Sequence, residues 1–326
     1  MDGASLDDWL SSPDNPPVRY LTARDLLDPS MPEEALAALR AAAVAWEPVQ
    51  RILALQAEDG RFPVPGKRLD APTTLTCIGL LARCGLDARD PPVGRALRWL
   101  FGRHVVKGAY SQNTGGSGIL PCYLGYFVPI IAAVAGPDVE PVRTSVDWLL
   151  RHQRFDHKET RAGGDEEWPF RTPINYGCWF SVSCYHGVAA ALRAIASIPA
   201  AGRTDVDRRR LDEAVAYLRI HRVYKKSAVD KPLFRHLTQF FLHGGYRFHL
   251  IDVLEGLAWT DPALGRQEWV AEAIEAVDAL APDGRIRLVK NYPTHLIDPI
   301  PLEPVGEPSR FLTYQWLRTK RRFGLP

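Results

Sequence analysis

Two ionisable residues stand three apart in an otherwise apolar run: His249 and Asp252, surrounded by Phe248, Leu250, Ile251, Val253, Leu254 and Leu257. On a helix that spacing puts both on one face. Ionisable groups in apolar surroundings are costly unless paired. Such a pair can do general acid–base work, the imidazole orienting the carboxyl or sharing its proton. The plainer alternative is a satisfied polar pair that joins two buried helices. Asp165, in the acidic loop Asp165-Glu166-Glu167, is a second candidate acid, although loop acids are usually solvated. Asp70, just ahead of an apolar run that starts at Thr73, is a further one. Arg247 and Arg310 open two more such runs. A guanidinium there suits capture of an anion or carboxylate, or a salt bridge to a neighbouring loop.

A second concentration of reactive side chains lies between Trp168 and Ile195, a Pro/Gly/Asn-rich loop that turns into an apolar helical run. Cys178, Cys184 and His186 there are zinc-type ligands. On one continuous helix, however, Cys184 and His186 lie about 160° apart round the axis, so the three cannot converge. Cys178 with His249 and Asp252 is the other set that can be written. The expectation is no resident cofactor, with zinc as the alternative and small buried thiols as the plain account. Trp168, Tyr176, Trp179, Tyr185, Tyr123 and Tyr126 gather near the same chain ends. With Cys178, they are expected to wall a central cavity for an apolar substrate, with Arg247 and Arg310 also among its binding residues. Aromatic residues also fill helical cores, and part of this set is expected to do only that.

Helices must position these groups, because few stretches alternate with period two. Helical runs are expected at Arg19 to Leu27 and Glu33 to Val44. From there a pattern repeats: an amphipathic helix, a glycine-containing turn, a helix apolar nearly all round, and a Gly or Pro stop. The pairs are Glu47 to Gln56 with Thr73 to Cys84, Val93 to Phe101 with Gly118 to Ala135, and Val142 to Gln153 with Cys178 to Ser197. Arg210 to Val223 pairs with Tyr246 to Trp259, and Glu268 to Leu280 with Ser309 to Arg322. The first member can face water and the second must be covered. Such alternation marks a repeat array. Closed with the apolar helices inside, it is an all-α α/α toroid of about five or six hairpins, one domain over 1–326. Residues 1–45 then form a helical cap and 46–326 the repeats.

With 326 residues, 46% hydrophobic and 24% charged, the chain is globular, and one regular architecture can account for its length. A net charge of +2 implies no nucleic-acid partner. Gly118 to Gly136 comes closest to a membrane span, but Pro121 and Pro129 interrupt it. Five cysteines, an odd count set in apolar runs, and an acidic start unlike a secretory leader point to a cytoplasmic protein with reduced thiols. Oligomeric state is not legible.

The turns share a trace: Gln56-x-x-x-Gly60-x-Phe62, repeated as His104, Gly108, Tyr110 and, degenerately, as Leu280, Gly284, Ile286. This resembles a weakened Gln-Trp motif of squalene–hopene cyclases and protein prenyltransferase β subunits. Further likeness is carried by Asn15-Pro-Pro-Val-Arg-Tyr, Cys178-Trp with Cys184, His221-Arg-Val-Tyr-Lys-Lys-Ser227, Arg247-Phe-His249-Leu-Ile-Asp252, Asp283-Gly-Arg285 and Pro308-Ser-Arg310. Over nearly its whole length the chain resembles the bacterial prenyltransferase/squalene-oxidase-repeat proteins. The resemblance implies a terpenoid cyclase-like toroid that binds an isoprenoid-like substrate, with acid-catalysed cyclisation or transfer as its chemistry. The Asp-x-Asp-Asp and Asp-Asp-x-x-Asp motifs of terpene cyclases are absent. The alternatives are a metal-assisted or carbohydrate-active enzyme on the same barrel, or a non-catalytic ligand carrier or scaffold. Lanthionine cyclases, on the same toroid, bind zinc through a Cys…Cys-His set, but there Cys and His are adjacent, whereas Tyr185 separates Cys184 from His186 here.

Overall fold

The computed structural model describes residues 5–27, 31–63, 70–116, 118–156, 183–243, 245, 247–290 and 300–326. Asp165, Trp168, Tyr176, Cys178 and Trp179 lie outside the described residues. The rest is mostly helical, with two very short strands. At the N-terminal end come α1 (Leu6–Leu10), α2 (Pro16–Asp25) and α3 (Glu33–Ala45). Five helix pairs follow. They are α4 (Glu47–Ala54) with α5 (Asp70–Arg83), α6 (Pro91–His104) with α7 (Pro121–Ala135), and α8 (Glu140–His152) with α9 (Tyr185–Ala196). The last two are α10 (Asp205–Ile220) with α11 (Leu250–Thr260), and α12 (Glu268–Ala279) with α13 (Arg310–Arg322).

Local chemistry sets the ends. Proline occupies the first turn of α2, α4, α6, α7 and α8, where its missing N–H costs nothing. Thr204 and Asp207 cap α10 reciprocally, and Ser309 caps α13. The division into exposed and covered helices follows the sequence pattern: α9 buries eleven of its twelve residues, α10 only five of sixteen.

The covered helices are neighbours in series: α5 packs on α7, α7 on α9, α9 on α11, α11 on α13, and α13 on α2. At the two ends of this series, Arg83 of α5 donates to Gln315 Oε1 of α13 at 3.4 Å, and the Tyr20 ring of α2 lies against Gly85. The helix α2, from the segment expected to form a cap, thus packs on α13 and reaches the end of α5.

The shared turn trace has a physical meaning. Gln56 Nε2 donates to Gly60 O at 2.9 Å and to Pro92 O at 2.8 Å, tying the end of α4 to the start of α6. Gly60 has φ of 97°, and a Cβ there would lie 2.5 Å from the Arg95 carbonyl oxygen. Phe62 N–H donates to Thr74 Oγ1 of α5 at 3.0 Å, and Ile286 N–H repeats this to Thr313 Oγ1 of α13 at 2.9 Å. In the second turn Lys107 and Gly108 both adopt positive φ, a two-residue hairpin turn between β1 (Val105–Val106) and β2 (Ala109–Tyr110). Tyr110 then stacks on Phe127 of α7, with centroids 4.8 Å apart.

Candidate functional site

His249 and Asp252 are a helix cap as well as a buried pair. The expected helix from Tyr246 instead begins at Leu250, with His249 as its N-cap. Its Nδ1 accepts the Asp252 N–H at 3.3 Å, and Asp252 Oδ2 accepts the His249 N–H at 3.1 Å. This is a capping box with an imidazole in the place a hydroxyl usually takes. Because Nδ1 accepts, Nε2 carries the proton and donates to Phe241 O at 3.1 Å. Burial pushes the imidazole down, with Arg83 and Arg193 adding to that and Asp252 opposing, so His249 is neutral. Burial works to raise the Asp252 carboxyl. The opposing effects of His249, Arg193, Arg83 and the Gln315 amide outweigh it and hold Asp252 below the usual carboxylate range. Asp252 is an ionised carboxylate, and as such it has no proton to donate.

The pair opens onto a larger polar cluster where α2, α5, α9, α11 and α13 meet. Gln315 Nε2 donates to Asp252 Oδ1 at 3.1 Å and to Glu255 Oε2 at 3.3 Å. Arg318 pairs with Glu255 and reaches the Tyr314 hydroxyl at 3.3 Å. Tyr314 donates to Asp25, which Arg24 holds in a two-pronged pair at 2.6 and 2.7 Å. Burial lowers the Arg318 guanidinium, but Glu255 and Tyr314 outweigh it and raise it, so it stays charged.

Arg193 and Arg83 differ from these. Arg193 is only 9% exposed, yet its side chain makes no hydrogen bond among the described residues. Its nearest carboxylates are Asp252 at 3.5 Å and Glu255 at 4.0 Å, and its guanidinium lies 5.0 Å from the Phe248 ring centre. Arg83 has the single long bond to Gln315 and no salt bridge to a carboxylate among the described residues. Both line a cavity of about 60 Å³ together with Asp252, Tyr126, Phe241 and Phe248. Gly79, Leu80 and Ile130 complete its apolar side, and Arg247 and His243 stand on it as well.

Of the described residues singled out from sequence, Asp252, Tyr126 and Arg247 reach this cavity, and His249 supports it from behind. Three do not. Tyr185 is buried elsewhere, donating from its hydroxyl to Val223 O at 2.6 Å and meeting the His221 ring edge-on. Arg310 bonds Trp9 O at 3.0 Å and Asp14 at 3.4 Å, the salt bridge to a neighbouring segment that the sequence offers as one of its two roles. Tyr123 packs against the core and is not among the cavity residues. Asp70 opens α5 and pairs with Arg61 at 2.6 Å.

Cys184 is extended and caps α9, which starts at Tyr185, so the helical angle drawn between Cys184 and His186 does not apply. His186 stacks on Phe234 at 4.7 Å. No group of three His, Cys, Asp or Glu side chains among the described residues could hold a metal ion, and Cys178 lies outside them. Among the described residues, no helix is long and apolar enough to cross a membrane.

Glu303 escaped the sequence reading, being one acid in a proline-rich linker. It is 8% exposed and gathers the start of α13: Arg310 N–H at 2.8 Å, Phe311 N–H at 3.4 Å and the Ser309 hydroxyl, with Asn15 Nδ2 at 3.3 Å from the start of α2. Burial outweighs these donors and raises its carboxyl to about 6. A carboxyl raised in the folded state binds its proton more tightly there than when unfolded. Its contribution is therefore complete below about 4.5 and is lost as pH rises through about 6, amounting to about 2 kcal/mol by pH 7. Denaturant unfolding of the wild type should show that loss between those pH values. Glu303→Gln should lack it, and an identical pH profile for both would assign the effect elsewhere.

Comparison with protein-family models, with curated proteins and with solved structures finds no match to this chain.

Proposed function

We propose that the chain is an α/α toroid of the terpenoid cyclase-like kind, and that its centre is a small-molecule site. In this reading α2, α5, α7, α9, α11 and α13 form the inner ring, with α13 and α2 closing onto α5. The support is the serial packing of these helices, the contacts from Arg83 to Gln315 and from Tyr20 to Gly85, and the recurring turn chemistry.

One observation carries the functional part. Side chains from α5, α7, α9 and α11, widely separated in sequence, converge on one cavity that has an aromatic and aliphatic wall and charged groups on the other side. At about 60 Å³ it has room for about four or five water-sized atoms. That suits a head group or small acid better than an entire isoprenoid chain. The ligand's apolar part would lie on Leu80, Ile130, Phe241 and Phe248. Asp252, ionised, would stabilise positive charge or accept a proton. Acid-initiated cyclisation by Asp252 is therefore the chemistry least suited to this site, and transfer or proton abstraction suits it better. The free thiols of Cys77, Cys84 and Cys184 accord with a cytoplasmic setting.

A scaffold reading has its own support: Arg24, Asp25, Tyr314, Arg318, Glu255 and Gln315 hydrogen-bond one another and tie three helices together. Calorimetric titration with small organic probes separates the two. Propionate or propionamide should bind wild type, and Ile130→Trp, which fills the cavity, should abolish binding. A wild type that binds neither, or a variant that binds equally, favours the scaffold.

A further inference from the structure

We infer that the ligand enters the central cavity with an anionic group, a carboxylate or phosphate, held between the guanidiniums of Arg83 and Arg193. The inference rests on the reading of that cavity as a ligand site, and adds the chemical class that the site selects.

Two independent features of the site point the same way. The first is hydrogen bonding. A guanidinium has five N–H donors, and buried polar groups are almost always satisfied. Arg193 is about nine-tenths buried and donates to nothing among the described residues, with Nε fully shielded from solvent. Arg83, which lines the same cavity, spends one donor on Gln315 at 3.4 Å. The missing component is an acceptor with several lone pairs.

The second is charge. Arg24 neutralises Asp25, Arg318 neutralises Glu255, and Arg193 at 3.5 Å balances Asp252. Arg83 acts on Asp252 only at a distance and forms no salt bridge with a carboxylate among the described residues. Among the described residues Asp252 is the one acid on the cavity wall, and its oxygens already take the His249 N–H and the Gln315 amide. A cation so placed in a low-dielectric pocket is costly, and an anion of few atoms repairs both deficits at once. Planar, two-pronged recognition of carboxylate and phosphate is what guanidinium geometry favours.

The test uses the full-length chain and three probes: propionate, its neutral isostere propionamide, and inorganic phosphate. Calorimetric titration of wild type should give propionate or phosphate binding about ten-fold or more tighter than propionamide, from charge-assisted bonds alone. Whichever anion binds tighter names the acid. Arg83→Gln, at a half-buried position with one long hydrogen bond, should weaken anion binding by a similar factor and leave propionamide unchanged. Propionamide binding as tightly as either anion overturns the inference while leaving the cavity a ligand site, as does an unchanged anion affinity in Arg83→Gln. If no probe binds wild type, the ligand-site reading fails and the inference with it.

Discussion

Gly125→Ala should destabilise the fold by about 3 kcal/mol or more, the usual upper range for overpacking a core. Gly125 sits in α7 where that helix crosses α9. A Cβ there would lie 2.3 Å from both Cα and Cβ of Ala190 and 2.6 Å from its carbonyl oxygen. Two of these three atoms are backbone, so no rotamer change relieves the clash and the helices must separate. Pro129, one turn later, removes the N–H that would normally bond the Gly125 carbonyl, so the helix is already interrupted at this level. Denaturant unfolding measures the effect. A cost under about 1 kcal/mol would mean that α7 and α9 do not approach so closely.

Arg318→Met should cost about 3–5 kcal/mol, because it strands Glu255, 3% exposed, without its main cation. Gln315 and the more distant Arg193 cannot replace that charge. The informative comparison is the double variant Arg318→Met with Glu255→Leu. Replacing both members of a buried pair with apolar residues is often close to neutral. The double variant should therefore be more stable than the single one. If the single substitution is as mild as the double, Glu255 is not buried as an ion.

The repeating helices were legible in sequence because burial imposes a periodicity, and the breaks fell at Gly85 and Gly136, where the backbone takes positive φ. The boundaries were less so, with one chemical consequence. Extending α11 back to Tyr246 put His249 and Asp252 on one helical face as a candidate acid–base pair. Its actual start at Leu250 makes His249 a cap and Asp252 an ionised partner. The two residues that the spacing singled out do pair in the structure, through a capping box rather than along one helical face.

Arg83, Arg193, Glu255 and Arg318 were missed because each lies on a different helix from most of its partners, so no local spacing joins them. A signal was present: a single charged residue inside a run such as Ala-Ala-Ala-Leu-Arg193-Ala-Ile or Val-Leu-Glu255-Gly-Leu is costly to bury alone. Two such residues on neighbouring inner helices predict each other. The role of Asp25 was hidden differently, since α2 reads as a cap until its contact with α13 is known.

The most direct test of the central-site account is to locate a bound carboxylate in a crystal of the full chain grown with propionate. The account predicts its oxygens within hydrogen-bond distance of Arg83 and Arg193, with its methyl group toward Phe241 and Phe248. Propionate found elsewhere, or a closed centre with Arg193 bonded directly to Asp252 and Glu255, would contradict it.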